Sequence, residues 1–211
     1  NPEDTMQTRA WVAGATGFVG KAVVAELRRQ GVATVAHVRP DARKLDGWQQ
    51  HFTAVGAEVD TTPWDEAAHA SALQDRGITH VFCLIGTTRA RKRHSARPES
   101  ETYAAVDFGL TRMLARSAAA AGGVQRFIYL SSIGAAPGAA TAYMQARWNA
   151  ETAVRESGVA WTIARPAIIT GERDERRWGE SWAASLLDTL LVPVGALGGD
   201  RIRERYRSTD D

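Results

Sequence analysis

The stretch Gly14-Ala15-Thr16-Gly17-Phe18-Val19-Gly20 decides the fold of this chain. It follows an apolar run at residues 10–13, typical of a buried strand, and precedes an amphipathic segment at residues 21–30, which predicts a helix. Glycines at three-residue intervals let the backbone approach a pyrophosphate closely and leave the N–H groups of a helix N-terminus facing it. A purely structural glycine turn is the alternative. The predicted dinucleotide contacts are Gly14, Thr16, Gly17, Phe18, Val19 and Gly20.

Strand-like runs alternate with helix-like segments along the rest of the chain. The predicted strands are residues 10–13, 33–38, 57–59, 81–85, 126–130 and 160–164, and the predicted helices include 21–30, 41–52 and 99–121. This alternation predicts an α/β fold of the Rossmann type, a doubly wound, mostly parallel sheet of six to seven strands with helices on both faces. The 211 residues contain no repeat or long linker, so we expect one domain over residues 1–211, with a small substrate or lid region in about 166–211.

The composition excludes several classes of protein. A formal net charge of +2, from 26 basic and 24 acidic residues, gives no field that would favour nucleic acid or an anionic membrane. The one cysteine, Cys83, stands in an apolar run, which excludes a disulfide framework and a cysteine metal cluster, and no metal is expected. No stretch reaches about 20 apolar residues, and residues 1–8 lack the apolar core of a signal peptide, so a cytoplasmic location is predicted.

The residue after the second predicted strand indicates which nucleotide is bound. An acidic residue there would hydrogen-bond an unphosphorylated ribose and repel a 2′-phosphate, whereas Arg39 can pair with a 2′-phosphate. Arg43 and Lys44 lie close enough in sequence to add positive charge. The sequence therefore favours NADP(H) over NAD(H); the alternative is that Arg39 is a solvated residue at the strand end.

Polar side chains also follow the fourth and fifth predicted strands. Gly86-Thr87-Thr88 closes the fourth strand, where a second set of cofactor contacts or a plain turn is expected, and a basic stretch follows at residues 89–97. That stretch is interpreted as a solvated loop or as a contact to an anionic substrate. Ser131 and Ser132 end the fifth strand; Tyr143 comes early in the next predicted helix, with Arg147 one turn later on the same face.

With these motifs, the chain resembles the short-chain dehydrogenase/reductase superfamily in its atypical branch. The shared motifs are residues 14–20, Gly86-Thr87-Thr88, Ser131 or Ser132 with Tyr143, and Arg165-Pro166-Ala167 after the sixth strand. The chain is most similar to the Tat-interacting-protein-like oxidoreductases, through Phe82-Cys83-Leu84-Ile85-Gly86-Thr87-Thr88-Arg89 and Leu130-Ser131-Ser132-Ile133-Gly134-Ala135.

The resemblance implies a role for each of these residues. In that family a Ser polarises the substrate carbonyl, a Tyr exchanges its proton, and a Lys four residues later binds the nicotinamide ribose. By position, Ser132 polarises, with Ser131 as the alternative and as a cofactor contact; Tyr143 is the acid/base; and Arg147 takes the place of the Lys. Asp107 stands where many relatives carry Asn. Arg147 supplies positive charge but no labile proton, because a guanidinium stays protonated; a surface or ion-pairing residue is the alternative.

The end of the chain adds a stiff turn and an aromatic segment. Proline at Pro166 fixes the backbone after the sixth strand, and the resemblance implies that Pro166, Ala167 and Ile168 lay backbone amides against a nicotinamide. Residues 172–182, with Trp178 and Trp182, are consistent with a substrate lid; packing or a homodimer contact is the simpler interpretation.

Three functions follow from these features. The first is an NADP(H)-dependent oxidoreductase that acts on a small carbonyl or hydroxyl compound, with Tyr143 as acid/base. The second is a non-catalytic NADP(H)-binding regulator or redox sensor, which Arg147 at the lysine position keeps open. A weaker alternative is an epimerase or dehydratase, which would normally need a larger C-terminal region. The sequence carries no motif that identifies the substrate.

Overall fold

The computed structural model describes residues 8–86 and 102–166, and these residues form one six-stranded parallel sheet. The sheet has the strand order β3-β2-β1-β4-β5-β6. Because the order reverses between β1 and β4, this is the doubly wound Rossmann-type arrangement, and the fold class predicted from the sequence is confirmed. The strands are β1 (Arg9–Ala13), β2 (Ala33–His37), β3 (Glu58–Asp60), β4 (His80–Cys83), β5 (Arg126–Leu130) and β6 (Trp161–Ala164).

Six helical segments accompany the strands within the described residues. They are α1 (Phe18–Arg29), α2 (Leu45–Ala54), α3 (Glu66–Asp75), α4 (Tyr103–Leu110), α5 (Thr111–Ala121) and α6 (Ala142–Arg155). The segment α4 is wound as a π-helix and continues directly into α5. The sequence did not predict α3, because its apolar side is mostly alanine and gives little contrast with its polar side. Its N-cap is clear in the structure, since the Asp65 side chain accepts a hydrogen bond from Ala68 N at 2.9 Å.

The helices cover the two faces of the sheet and enclose two apolar cores. On one face, Leu27 of α1 and Phe52 of α2 pack with Val12 and neighbouring strand residues. On the other face, Leu114 of α5 and Val154 of α6 pack with a core that includes Trp11, Phe127, Tyr129 and Leu73 of α3. Strands buried on both faces explain the near-continuous apolar runs that predicted a parallel sheet.

Several element boundaries differ from those predicted, by one to four residues. The strand β2 ends at His37 rather than Val38, although Val38 N still donates to Asp60 O at 2.9 Å. The helix α2 begins at Leu45 rather than at residue 41, because Ala42 N donates to Arg39 O at 3.0 Å and closes a turn first. Lys44, the N-cap of α2, has a left-handed backbone with φ +63°. Turns compete with helix starts at such positions, so sequence periodicity locates them poorly.

Candidate active site

The glycine turn after β1 has the geometry of a phosphate cradle. Gly14 has φ +82°, and a Cβ built there would lie 2.6 Å from the carbonyl oxygen of Leu84, at the end of β4. A Cβ on Gly20 would lie 2.1 Å from Gly14 O. At Gly17 the only contact of a built Cβ would be Gly14 O at 3.2 Å, which a small shift relieves. Internal packing therefore explains Gly14 and Gly20, whereas the missing side chain of Gly17 fits the close approach of a ligand.

The turn leads into the N-terminus of α1, which begins at Phe18. Gly17 is the N-cap, with an extended backbone and no side-chain cap hydrogen bond, and the first turn carries no acidic residue. The N–H groups of the first turn and the positive end of the helix dipole therefore suit an anion. Thr16 is half-buried beside this turn, and Phe18, the first residue of α1, is 41% exposed.

Replacing Gly20 with alanine should destabilise the protein by about 1–3 kcal/mol, because the new Cβ must displace the Gly14 backbone. The same displacement should weaken nucleotide binding, since it moves the turn that would hold the phosphates. Chemical denaturation and NADPH titration measure the two effects. Gly47→Ala in α2 is the matched control: its Cβ would meet only Lys44 Cβ at 3.9 Å, so it should leave stability unchanged or raise it. Equal effects of the two substitutions would contradict the prediction.

Arg39, which the sequence predicts to bind a 2′-phosphate, follows the carboxyl end of β2. Its side chain is 19% exposed, and its Nε lies 3.6 Å from Asp41 Oδ1, in an exposed pair of the kind that contributes little to stability. The nearby Arg43 and Lys44 are exposed. His37 is buried; burial lowers the pKa of His37 to about 4, so the imidazole is neutral near pH 7. The positive charge that the sequence assigned to this end therefore comes from Arg39, Arg43 and Lys44.

The two serines at the end of β5 differ in their hydrogen bonds. The Ser131 hydroxyl donates to Glu151 Oε1 at 2.6 Å, so it is already committed to the protein. The Ser132 hydroxyl is buried and has no hydrogen-bond partner among the residues that the structure describes. A buried hydroxyl without a partner is costly, and in a site it is explained by a ligand that supplies the partner. This difference separates the two candidates that the sequence left open, and it favours Ser132.

Tyr143 lies in the first turn of α6, as predicted. The helix is capped by Thr141, whose side chain accepts a hydrogen bond from Met144 N at 3.1 Å. The loop from β5 packs against this helix start: Gly134 has φ +87°, and a Cβ there would lie 3.0 Å from Met144 Cε. Tyr143 is half-buried, and its ring meets the Tyr103 ring edge-on at 5.3 Å. The end of β5 and the start of α6 are thus fixed relative to each other.

Arg147 is buried at the carboxyl ends of β4 and β5, with its guanidinium directed at protein atoms. Its Nη1 donates to Leu130 O at 2.7 Å, to the Tyr129 hydroxyl at 3.1 Å and to Ile85 O at 3.3 Å. Its Nη2 lies 2.9 Å from Asp107 Oδ1. The guanidinium carbon is 5.2 Å from the centre of the Tyr143 ring, within cation–π range. The surface role that the sequence left open is therefore wrong; the ion-pairing role is confirmed.

The surroundings of Arg147 keep it charged. Burial opposes the charge, but Tyr129, Asp107 and Tyr143 outweigh that effect and raise the pKa of Arg147 above its usual value. Burial also raises the pKa of Tyr129, which therefore stays a neutral phenol and accepts the hydrogen bond from Arg147. A Cβ at Gly86 would lie 2.7 Å from Arg147 Nη2, so the guanidinium rests on the backbone there. The position accepts only glycine as long as Arg147 stays in place.

Asp107 reaches Arg147 from the π-helix α4. Its side chain is fully buried, and its Oδ1 is the carboxylate oxygen nearest to the guanidinium. The wider turn of a π-helix changes which residues face inward, and such turns are frequent at functional sites. The sequence placed Asp107 where many relatives carry Asn; in the structure it is the counter-ion of Arg147.

Glu151 is a residue of the site region that the sequence analysis missed. It is fully buried one turn after Arg147 on α6, and it binds Ser131, Arg155 and Arg165. The signal was present in the sequence, because Tyr143, Arg147, Glu151 and Arg155 follow one another at four-residue intervals. An acidic residue in that series, next to the apolar Ala150, needs a buried partner.

The remaining predicted site residues fall in two groups. Gly86 lies three residues after the end of β4, beside Arg147, and Pro166 lies after β6, where its carbonyl oxygen accepts from Ile133 N at 3.2 Å. Thr87, Thr88, Ala167 and Ile168 lie outside the described residues, as do the basic stretch at 89–97 and the segment at 172–182. In the described ranges, no helix is long and apolar enough to cross a bilayer, and no three His, Cys, Asp or Glu side chains are grouped so as to hold a metal ion.

Comparison with known proteins gives a family match over most of the chain. A family described as NAD(P)H-binding matches residues 14–181. Protein HTATIP2 of Rattus norvegicus is 30% identical over 188 residues, which cover 88% of this chain and 73% of that protein. Protein FMP52, mitochondrial, of Debaryomyces hansenii is 26% identical over 195 residues, covering 88% and 81% of the two chains.

A solved structure agrees at the level of the fold. The complex of leucoanthocyanidin reductase with NADPH from Vitis vinifera superposes with a TM-score of 0.58 at 20% identity. The match covers 74% of this chain but only 48% of that one, so this chain spans about half the length of the solved relative.

Proposed function

The chain belongs to the NAD(P)H-binding family, and from this premise we propose that it is an NADP(H)-dependent oxidoreductase of the atypical short-chain dehydrogenase/reductase type. The resemblance to Tat-interacting-protein-like proteins is confirmed by the match to HTATIP2. The proposed substrate is a small molecule with a carbonyl or hydroxyl group. Family membership fixes the cofactor class as NAD(P)H; the choice of NADP(H) and the reaction belong to the proposal.

One observation carries the proposal: the Ser132 hydroxyl, at the carboxyl end of β5, is buried and has no hydrogen-bond partner in residues 8–86 and 102–166. The residues present also fit the cofactor, since Gly17, the N-cap of α1, presents no side chain to a phosphate and the first turn of α1 carries no acidic residue. A buried hydroxyl that has no partner among the described residues, at the strand end whose loop packs against the start of the Tyr143 helix, suits polarisation of a substrate carbonyl.

The proposed chemistry divides among three side chains. Ser132 donates a hydrogen bond to the substrate oxygen, and Tyr143 donates a proton to the same oxygen during reduction or accepts it during oxidation. Arg147 keeps a positive charge beside the Tyr143 ring, which stabilises negative charge developing on the phenol oxygen. It passes on no proton, because a guanidinium stays protonated. Bound NADPH supplies the hydride for reduction.

Arg39 supports the choice of NADP(H). We expect Arg39→Ala to weaken NADPH binding by about 1.5–3 kcal/mol, the value of a charge-assisted hydrogen bond, and to leave NADH binding nearly unchanged. Titration by tryptophan fluorescence measures both affinities. Arg29→Ala is the matched control. It removes the same charge from an exposed side chain at the C-terminal end of α1, which is the end opposite the glycine turn. An equal loss of affinity for both nucleotides would argue against a 2′-phosphate contact.

A second function remains a candidate because of how Arg147 is bound. Its fork is directed at Leu130 O, Ile85 O, Tyr129 and Asp107 rather than left available for a ribose. A protein that binds NADP(H) without turnover, as a regulator or redox sensor, needs the cradle but no ribose-binding cation. For this function, the protein must bind the nucleotide and must not oxidise it.

The experiment that tests the proposal combines binding and turnover. The purified protein is titrated with NADPH and with NADH, and then mixed with a panel of aldehydes and ketones while the absorbance of the reduced nicotinamide is followed. Binding with oxidation supports the reductase. Binding without oxidation of any compound favours the sensor, and absence of binding refutes the cofactor site.

The cellular location is a separate proposal. The sequence predicted the cytoplasm, whereas the FMP52 relative carries a mitochondrial designation in its name. Fractionation of cells that express the protein would decide between the two compartments.

A further inference from the structure

The ends of β5 and β6 are joined through a buried carboxylate. Glu151 Oε1 accepts from the Ser131 hydroxyl at 2.6 Å and from Arg165 Nε at 2.8 Å. Glu151 Oε2 accepts from Arg165 Nη2 at 2.6 Å and from Arg155 Nη2 at 2.7 Å. Arg165 therefore binds with both arms of its fork, the geometry that fixes direction as well as distance. Three elements, β5, α6 and β6, meet at one side chain.

Backbone hydrogen bonds continue the pairing of β5 with β6 beyond the last paired residues of the two strands. The strands β5 and β6 pair as far as Leu130 and Ala164. Beyond them, Ser131 N donates to Ala164 O at 2.8 Å, and Ile133 N donates to Pro166 O at 3.2 Å. The backbone on either side of Ser132 is thus held to Ala164 and Pro166. Glu151 joins the same two segments through side chains.

The charge of Glu151 is stabilised despite full burial. Burial alone would raise the pKa of Glu151, but the hydrogen bonds from Arg165, Ser131 and Arg155 outweigh it and hold the pKa below its usual range. A buried carboxylate that keeps its charge holds its partners in one geometry, because loss of the two-nitrogen contact from Arg165 would leave much of that charge uncompensated. The charged Glu151 side chain can therefore keep the segments after β5 and β6 at a fixed distance from each other.

The position of this contact in the sheet assigns it to one half of the cofactor site. The phosphate cradle follows β1, next to the point where the strand order reverses, and Arg39 lies on the β2 side of it. A dinucleotide that crosses this point with its adenosine over β2 has its nicotinamide over β4, β5 and β6. The ends of β5 and β6 are therefore on the nicotinamide side.

We propose that Glu151 is a positioning residue for the nicotinamide half of the cofactor site, acting through Ser131 and Arg165 on the loops that carry Ser132 and Pro166. The inference rests on the proposed function, because it needs a dinucleotide in this site. Glu151 touches neither cofactor nor substrate in this role. It determines where the Ser132 hydroxyl and the backbone of Pro166 lie.

Two probes separate this role from general stabilisation. NADPH uses both halves of the site, whereas adenosine 2′,5′-bisphosphate carries the adenosine and its two phosphates without the nicotinamide. Glu151→Gln should weaken NADPH binding about tenfold or more, equivalent to about 1.4 kcal/mol. Its affinity for the bisphosphate should stay within about twofold of wild type. Arg165→Gln, at a side chain that is 22% exposed, should act in the same way and serves if the buried Glu151 variant folds poorly.

Arg155→Gln is the matched control, because Arg155 also binds Glu151 but belongs to α6 and reaches neither loop. It should leave both affinities near wild type. The fluorescence emission of bound NADPH gives a second readout, since it reports the surroundings of the nicotinamide and should change in Glu151→Gln and Arg165→Gln alone.

The outcomes are distinct. Equal weakening of both probes, or no change in either, would overturn the positioning role while leaving the proposed function standing. A wild-type protein that binds neither probe would refute the proposed function and this inference with it.

Discussion

Replacing Tyr143 with phenylalanine should lower the rate of NADPH-dependent carbonyl reduction by a factor of about 10²–10⁴, the contribution of a positioned acid/base group. The substitution removes the hydroxyl that would transfer the proton and keeps the ring that packs against Tyr103 and Arg147. Because the ring stays, NADPH affinity and thermal stability should change little. Steady-state kinetics with a carbonyl compound that the wild type reduces, together with NADPH titration, measure the two effects.

Tyr103→Phe is the matched control for that prediction. Tyr103 is 41% exposed in α4 and contacts the Tyr143 ring edge-on. Tyr103→Phe therefore removes the same chemical group, a phenol hydroxyl, next to the site. Its reduction rate should stay within a few-fold of wild type, on the order of the effect of a surface substitution. A Tyr143→Phe variant as active as Tyr103→Phe would remove Tyr143 from the mechanism.

Replacing Asp107 with alanine should destabilise the protein by on the order of 3 kcal/mol, because it leaves the buried Arg147 guanidinium without its counter-ion. The effect belongs at the lower end of the range for broken buried pairs, since Arg147 keeps its three oxygen acceptors on Ile85, Tyr129 and Leu130. The free energy of unfolding from chemical denaturation measures it.

An exposed ion pair provides the comparison for Asp107. Glu66 pairs with Arg116 at 3.2 Å on the surface, where such pairs contribute little, so Glu66→Ala should cost less than about 1 kcal/mol. The double variant Asp107→Ala/Arg147→Met should lose less stability than the sum of its single variants, because it removes the uncompensated charge. Additive losses, or a loss at Asp107 no larger than that at Glu66, would show that the two side chains are not coupled.

The fold and the cofactor class could be predicted from the sequence because their signals are local. The spacing of Gly14, Gly17 and Gly20 between a strand and a helix specifies a turn that few backbones can form, and the structure shows two of these glycines without room for a Cβ. Apolar runs of strand length specify buried strands, and their alternation with helices specifies the sheet. The structure confirms six strands in the described residues and corrects their ends by one to two positions.

The chemistry of the site could not be predicted in the same way, because it depends on contacts between distant parts of the chain. Ser131 and Ser132 are equivalent in the sequence. Glu151, twenty residues after Ser131, accepts a hydrogen bond from the Ser131 hydroxyl, whereas no described residue pairs with the Ser132 hydroxyl. Arg147 looked like a substitute for a ribose-binding lysine. Its acceptor Ile85 O comes from a strand end 62 positions away.

The linear sequence was thus enough to specify a Rossmann-type NAD(P)H-binding protein, and it predicted a serine, a tyrosine and an arginine as candidate site residues. The three-dimensional packing was needed to show that the Ser132 hydroxyl has no partner among the described residues, that Asp107 pairs with Arg147, and that Glu151 joins the ends of β5 and β6. The physical reason is that spacing along the chain fixes backbone geometry within an element. The partner of a buried polar group is fixed by packing between elements, which the periodicity of a single segment does not contain.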